Sequence, residues 1–178
     1  PESLRAGMRV GSLVRVPIMN RLHLALVLER DVIPDVPLAR LKAVTALVQT
    51  RMAHLSEAAP LVRPFFVPDD ALEIAEDARA ALGDNAAEVI EAAGRALGDI
   101  DDHGTGVLGS DSGWTAEAIE TALRTAIVDG LGIKPKFAFG PLRTAVSGAR
   151  ISPPLFESME ILGKTSTLNR LAALLATL

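Results

Sequence analysis

The chain has no cysteine and no tyrosine, and one tryptophan and five phenylalanines make up its whole aromatic content, 3%. Without thiols, disulfides and thiolate metal sites are excluded, which fits the expectation of a cytoplasmic protein. With aromatics scarce, the core falls to Ala, Leu, Val and Ile, and such a palette favours packed helices over sheets. The longest apolar run near the N-terminus, Leu24 to Leu28, is far too short to cross a bilayer, and no charged, apolar and small-residue succession marks a signal peptide. No membrane partner is therefore expected. The three histidines, His23, His54 and His103, are not at metal-ligand spacing, so zinc lacks a ligand set.

What is present suffices for a core, since 49% of the 178 residues are hydrophobic. The net charge of −4 argues against a polyanionic partner, but its distribution argues for one. Residues 1–64 hold nine Arg and Lys against five Asp and Glu, residues 65–130 three against fifteen, and residues 131–178 six against two. Acidity is confined to the middle, both flanks are basic, and it is the local field that steers a polyanion.

Along the chain, Gly7, Gly11 and Pro17 with alternating Arg and Val suggest a strand or extended arm over residues 1–17. Leu22 and Leu26 at helical spacing predict a helix over Ile18–Arg30, ended by the Pro34 to Pro37 turn cluster. Leu41, Val44, Leu47, Val48, Met52 and Leu55 form an apolar stripe of three- and four-residue steps, predicting a long helix that Pro60 stops. Asp69 or Asp70 is expected to cap a helix through Leu82, and a further helix runs from Asp84 to Gly98 along Ala87, Ile90, Gly94 and Leu97. Residues 99–113 are polar, Gly-rich and without periodicity, the expected internal boundary. Thr115 caps the next helix, which reaches Gly130, and a last helix starts near Ser166. Between them, Pro141 at a helix start carries Arg143, Ser147-Gly148 ends that helix, and Ser152 is a natural N-cap for PLFESMEILG.

Three local motifs imitate known chemistry and fail on spacing. Gly163-Lys164-Thr165-Ser166 resembles the end of a phosphate-binding loop, but Ser158 stands where that loop needs glycine. The run from Asp99 to Gly104 begins like a calcium loop, yet His103 and Ser110 occupy ligand positions. In Gly109 to Gly113 an aspartate, Asp111, takes the place of a nucleophilic serine.

The stretch GPLRTAVSGARISPPLFESMEILGK, residues 140–164, resembles the C-terminal anticodon-binding region of bacterial glutamyl-tRNA synthetases. ALVQTR (46–51), LVRPFF (61–66) and WTAEAIETALRTAIVDGLGIK (114–134) are similar to upstream pieces of that region, in the same order. The resemblance implies that Arg51, Arg124, Arg143 and the turn Ser152, Pro153, Pro154, Leu155 meet exposed anticodon bases, with Lys134, Lys136, Arg150 and Lys164 on phosphate. Unstacked loop bases can be stacked on guanidinium planes and read at their edges, which suits arginine. The HIGH-type and KMSKS-type signatures of the synthetase's catalytic fold do not occur in these residues.

The expectation is an all-α, multihelical protein. Residues 1–37 are unassigned, 38–104 form a helical bundle, and 105–178 a helical anticodon-binding domain. It is expected to bind tRNA-Glu as a monomer and to carry no cofactor, ATP and magnesium belonging to a catalytic domain absent from this sequence. Without that domain the chain is expected to be inactive alone. The alternative is a helical protein-interaction module that has lost tRNA contact; acceptance of tRNA-Gln is not readable from the residues.

Overall fold

The computed structural model describes residues 13–18, 21–26, 38–49, 51–54, 57–102 and 113–178. The polar segment 103–112, most of residues 1–37, the stripe residue Leu55 and the side chain of Lys136 lie outside the described residues.

Strand β1 (Leu13–Ile18) pairs antiparallel with β2 (Arg21–Leu26), in register from Leu13↔Leu26 to Ile18↔Arg21. The strand expected in the first seventeen residues is thus found over 13–18, whereas the helix expected over Ile18–Arg30 is not formed at residues 21–26. The alternation Arg21, Leu22, His23, Leu24 has a period of two, and this prevailed over the four-residue spacing of Leu22 and Leu26.

From residue 38 onward every regular element among the described residues is helical, as the composition predicts. Helix α1 (Leu38–Gln49) buries Val44 and Val48 one turn apart and ends before Met52, earlier than its stripe implies. The chain turns there because the Glu57 carboxylate accepts from the backbone N–H of Ala53 at 2.9 Å and of His54 at 3.3 Å. These two bonds, that to Ala53 foremost, lower the pKa of Glu57. Pro60 does not stop a helix but sits in the first turn of a new one, α2 (Ala58–Val62), where its missing N–H is tolerated. The helix expected from a cap at Asp69 or Asp70 through Leu82 is broken into a 3-10 turn (Asp69–Ala71), an extended piece, and α3 (Glu76–Ala80). Ala75 N–H donates to the Gly148 carbonyl at 2.8 Å, so a tertiary bond takes the place of the helical ladder there.

Helix α4 (Ala86–Gly98) presents Ala86, Val89, Ile90, Ala93 and Leu97 to the core. Helix α5 (Ala116–Leu123) is capped as expected, the Thr115 hydroxyl accepting from the Ala118 N–H at 3.2 Å. It continues as a wider π-helical turn (Arg124–Asp129) rather than regularly to Gly130. Then come α6 (Pro135–Ala138), α7 (Gly140–Ser147), α8 (Leu155–Leu162) and α9 (Lys164–Leu175). Gly148 ends α7 at φ 70°, the left-handed conformation expected of it.

One hydrophobic core runs from Val44 and Val48 through Leu97, Trp114, Leu123 and Met159 to Leu174, drawing residues from both sides of the 103–112 segment. Helix α9 packs on α4 and α7, and α5 on α8. Trp114 is buried with its indole N–H donating to the Met159 carbonyl at 2.9 Å. Arg170 of α9 is 3% exposed. Its guanidinium meets Asp69 Oδ1 at 2.7 Å, the carbonyls of Pro64 and Val146 at 2.8 Å each, and that of Val67 at 3.2 Å. Among the described residues no helix is long and apolar enough to cross a membrane.

Candidate nucleic-acid interface

Helix α7 holds the central residue. Leu142, Ala145 and Val146 on it are buried, and full burial of Leu and Val side chains contributes roughly 1.5–3 kcal/mol each. A single hydrogen bond contributes about 1 kcal/mol. Packing of α7 into the core therefore fixes where Arg143 stands, and hydrogen bonds only fix how its side chain points.

The half-buried Arg143 donates through Nη1 to the Ser152 hydroxyl and to the Pro153 carbonyl, at 3.2 Å each. These contacts tie the guanidinium to the turn that opens α8. Among the described residues no acceptor is hydrogen-bonded to its Nε or Nη2. Burial pushes its pKa below the ordinary arginine value, the positive charge of Arg51 pushes the same way, and Glu157 opposes both.

Ser152 departs from its expected part. It does not cap α8, whose preceding residue is Pro154 with no side-chain cap, and it receives Arg143 instead. Pro153 and Leu155 are buried and Pro154 is half-buried, so the apolar part of this turn faces the core more than a ligand. Among the described residues no acceptor is hydrogen-bonded to the amides of Leu155, Phe156 and Glu157 at the start of α8.

Arg124, at the start of the π turn, lies beside the same region by another route. It is exposed, its Nε and Nη2 both meet Glu120 Oε1 at 2.7 Å, and its Cζ lies 5.7 Å from the centroid of the Phe139 ring. Phe139 immediately precedes α7 and its carbonyl accepts from the Arg143 N–H at 3.1 Å. Its ring meets that of Phe156 edge to face, centroids 5.4 Å apart at 89°. Phe139, Phe156 and Glu120 were missed in reading the sequence. The available signal was that three of only five phenylalanines, Phe137, Phe139 and Phe156, fall in the segment around Arg143.

The expected phosphate contacts divide. Lys134 and Arg150 are exposed, and Arg150 stands beside Ile151, a large apolar residue at 85% exposure. Lys164 is not placed as expected. Its ammonium donates to the Gly98 carbonyl at 2.8 Å and the Ile100 carbonyl at 2.5 Å, closing the C-terminal end of α4. A cation there is favoured by the helix dipole. Among the described residues no group of three or more His, Cys, Asp or Glu could hold a metal ion.

The sequence matches the anticodon binding domain family over residues 23–175. It is 50% identical over 141 residues to a glutamate–tRNA ligase of Kineococcus radiotolerans, covering 79% of this chain and 26% of that protein. A glutamate–tRNA ligase of Kocuria rhizophila is 56% identical over 132 residues, 74% of this chain and 24% of the relative. The chain thus spans about a quarter of the length of these relatives. In fold it resembles a solved glutamate tRNA ligase from Elizabethkingia meningosepticum, with a TM-score of 0.65 and 19% identity, over 81% of this chain and 26% of that one.

Proposed function

We propose, from the premise that this chain belongs to the anticodon binding domain family, that it grips the anticodon arm of tRNA-Glu and reads its bases. On this reading it serves, as a monomer in the cytoplasm, the glutamate–tRNA ligase reaction, whose ATP, glutamate and magnesium chemistry belongs to residues other than these 178. The observation that carries the reading is Arg143. Its Nη1 is pinned to Ser152 and Pro153, which aims the remaining donors from a fixed base. A guanidinium held this way suits paired hydrogen bonding to the edge of an unstacked base. The positive charge of Arg51 acts on it, and Lys134 and Arg150 are exposed cations for the phosphate chain.

Titration of the wild-type chain and of Arg143→Ala with cognate and anticodon-swapped stem-loops tests the proposal. The expected result is a wild-type preference for the cognate loop that Arg143→Ala reduces by about 1–3 kcal/mol, by analogy with base-edge readout in DNA grooves. An unchanged preference in the variant would remove Arg143 from base reading and take the proposal with it.

A further inference from the structure

We propose that Phe139 is a positioning residue that backs the Arg124 guanidinium and presents it as a stacking plate for one unpaired nucleobase. The inference rests on the anticodon reading above and adds a division of labour to it. A guanidinium has two faces and an edge of five N–H donors. In Arg124, Nε and Nη2 meet Glu120 Oε1 at 2.7 Å, and Cζ lies over the Phe139 ring, 5.7 Å from its centroid. The side chain nonetheless keeps 48% of its exposure, and among the described residues no acceptor is hydrogen-bonded to its Nη1.

Glu120 holds the Nε and Nη2 side of the fork and partly neutralises the charge, which leaves paired hydrogen bonding to the Nη1 and Nη2 end alone. The guanidinium is well suited to stacking, since every base offers a π-face to a flat cation. Phe139 is itself steadied by the edge-to-face contact with Phe156 at 5.4 Å, and it heads the helix that carries Arg143. Phe139 therefore links the plate, which stands on the π turn, to the helix that carries the edge reader. Arg143 supplies discrimination among bases; Arg124 supplies affinity that tolerates any base.

The test titrates the same stem-loops against Arg124→Lys, Phe139→Leu, Phe139→Tyr and the double variant Arg124→Lys with Phe139→Leu, with a melting curve for each. Lysine keeps the charge and loses the plane, so Arg124→Lys is expected to weaken all loops about tenfold while leaving the cognate preference intact. Phe139→Leu is expected to weaken them about threefold without changing the salt dependence, and Phe139→Tyr to bind as wild type. If Phe139 acts through Arg124, the double variant binds no worse than Arg124→Lys alone. Arg124→Lys binding like wild type overturns the inference, and so does additive loss in the double variant. Because Arg124 is exposed, that variant decides the matter even if Phe139→Leu folds poorly. Should the wild type show no cognate preference, the anticodon reading falls and this inference with it. Should Arg143→Ala behave as expected while Arg124→Lys does not, only this inference falls.

Discussion

At the scale of single residues, the largest cost of substitution is expected far from the interface, at Arg170. A buried cation is tolerated only when its donors are met, and here a carboxylate and three backbone carbonyls meet them. Those acceptors come from the 63–69 segment and the end of α7, so the side chain ties α9 to both. Arg170→Ala leaves Asp69 and the carbonyls without their donor, and breaking a buried pair in this way costs about 3–5 kcal/mol. Urea unfolding should show that loss as a lower midpoint at unchanged slope; a shift below about 1 kcal/mol would mean that water replaces the side chain. None of this was legible in the sequence, where Arg170 is one cation in an apolar stripe. The partners of Lys164 were hidden for a related reason: in sequence a lysine after a helix stop looks free, and the Gly98 carbonyl that takes its ammonium belongs to a helix end 66 residues away. The helix that carries Arg143, by contrast, was legible because its start at Pro141 and its stop at Gly148 are local signals.

At the scale of elements, Gly148 bears two constraints at once. Its φ of 70° is a conformation that side chains rarely adopt, and a Cβ built there would lie 2.3 Å from the Glu73 carbonyl oxygen. The close approach is what lets Ala75 bond to the Gly148 carbonyl and hold the 72–75 segment against the end of α7. Gly148→Ala is therefore expected to cost more than the 1–2 kcal/mol of left-handed backbone alone, because the neighbouring strand of chain must also move. A thermal shift of only a degree or two would show that this junction yields without penalty. The Ser147-Gly148 stop was readable, but its partner was not. Short-range periodicity predicts one helix from Asp70 to Leu82, and the bond to Gly148 that breaks it is long-range. The π turn at Arg124–Asp129 left no mark beyond its β-branched residues Thr125, Ile127 and Val128, which are weak helix formers.

At the scale of the whole molecule, two properties follow from how the parts join. The core that includes Val44, Leu97, Trp114 and Leu174 crosses the boundary that the polar segment marks in sequence, so the two helical parts should unfold in one transition. Calorimetry resolving two transitions would show instead that the parts are independent domains. The second property is electrostatic. A net charge of −4 should repel a polyanion, yet the acidic excess is confined to residues 65–130 while Arg51, Lys134, Arg143 and Arg150 lie outside them. Of these, Arg51, Lys134 and Arg150 are exposed and able to meet phosphates, whereas Lys164 is engaged with α4. Each phosphate contact on single-stranded nucleic acid lowers the slope of log K against log salt by about 0.7. Two to four contacts then predict a slope of about −1.5 to −3 for the stem-loop, shallow beside that of proteins held mainly by phosphate. Arg150→Ala should bring the slope about 0.7 units closer to zero and leave the cognate preference where it was, while Lys164→Ala should leave the slope unchanged. A slope near zero in the wild type would mean that apolar contact, not charge, holds the loop, and a change of slope in Lys164→Ala would mean that its ammonium leaves the end of α4 for phosphate when the loop binds.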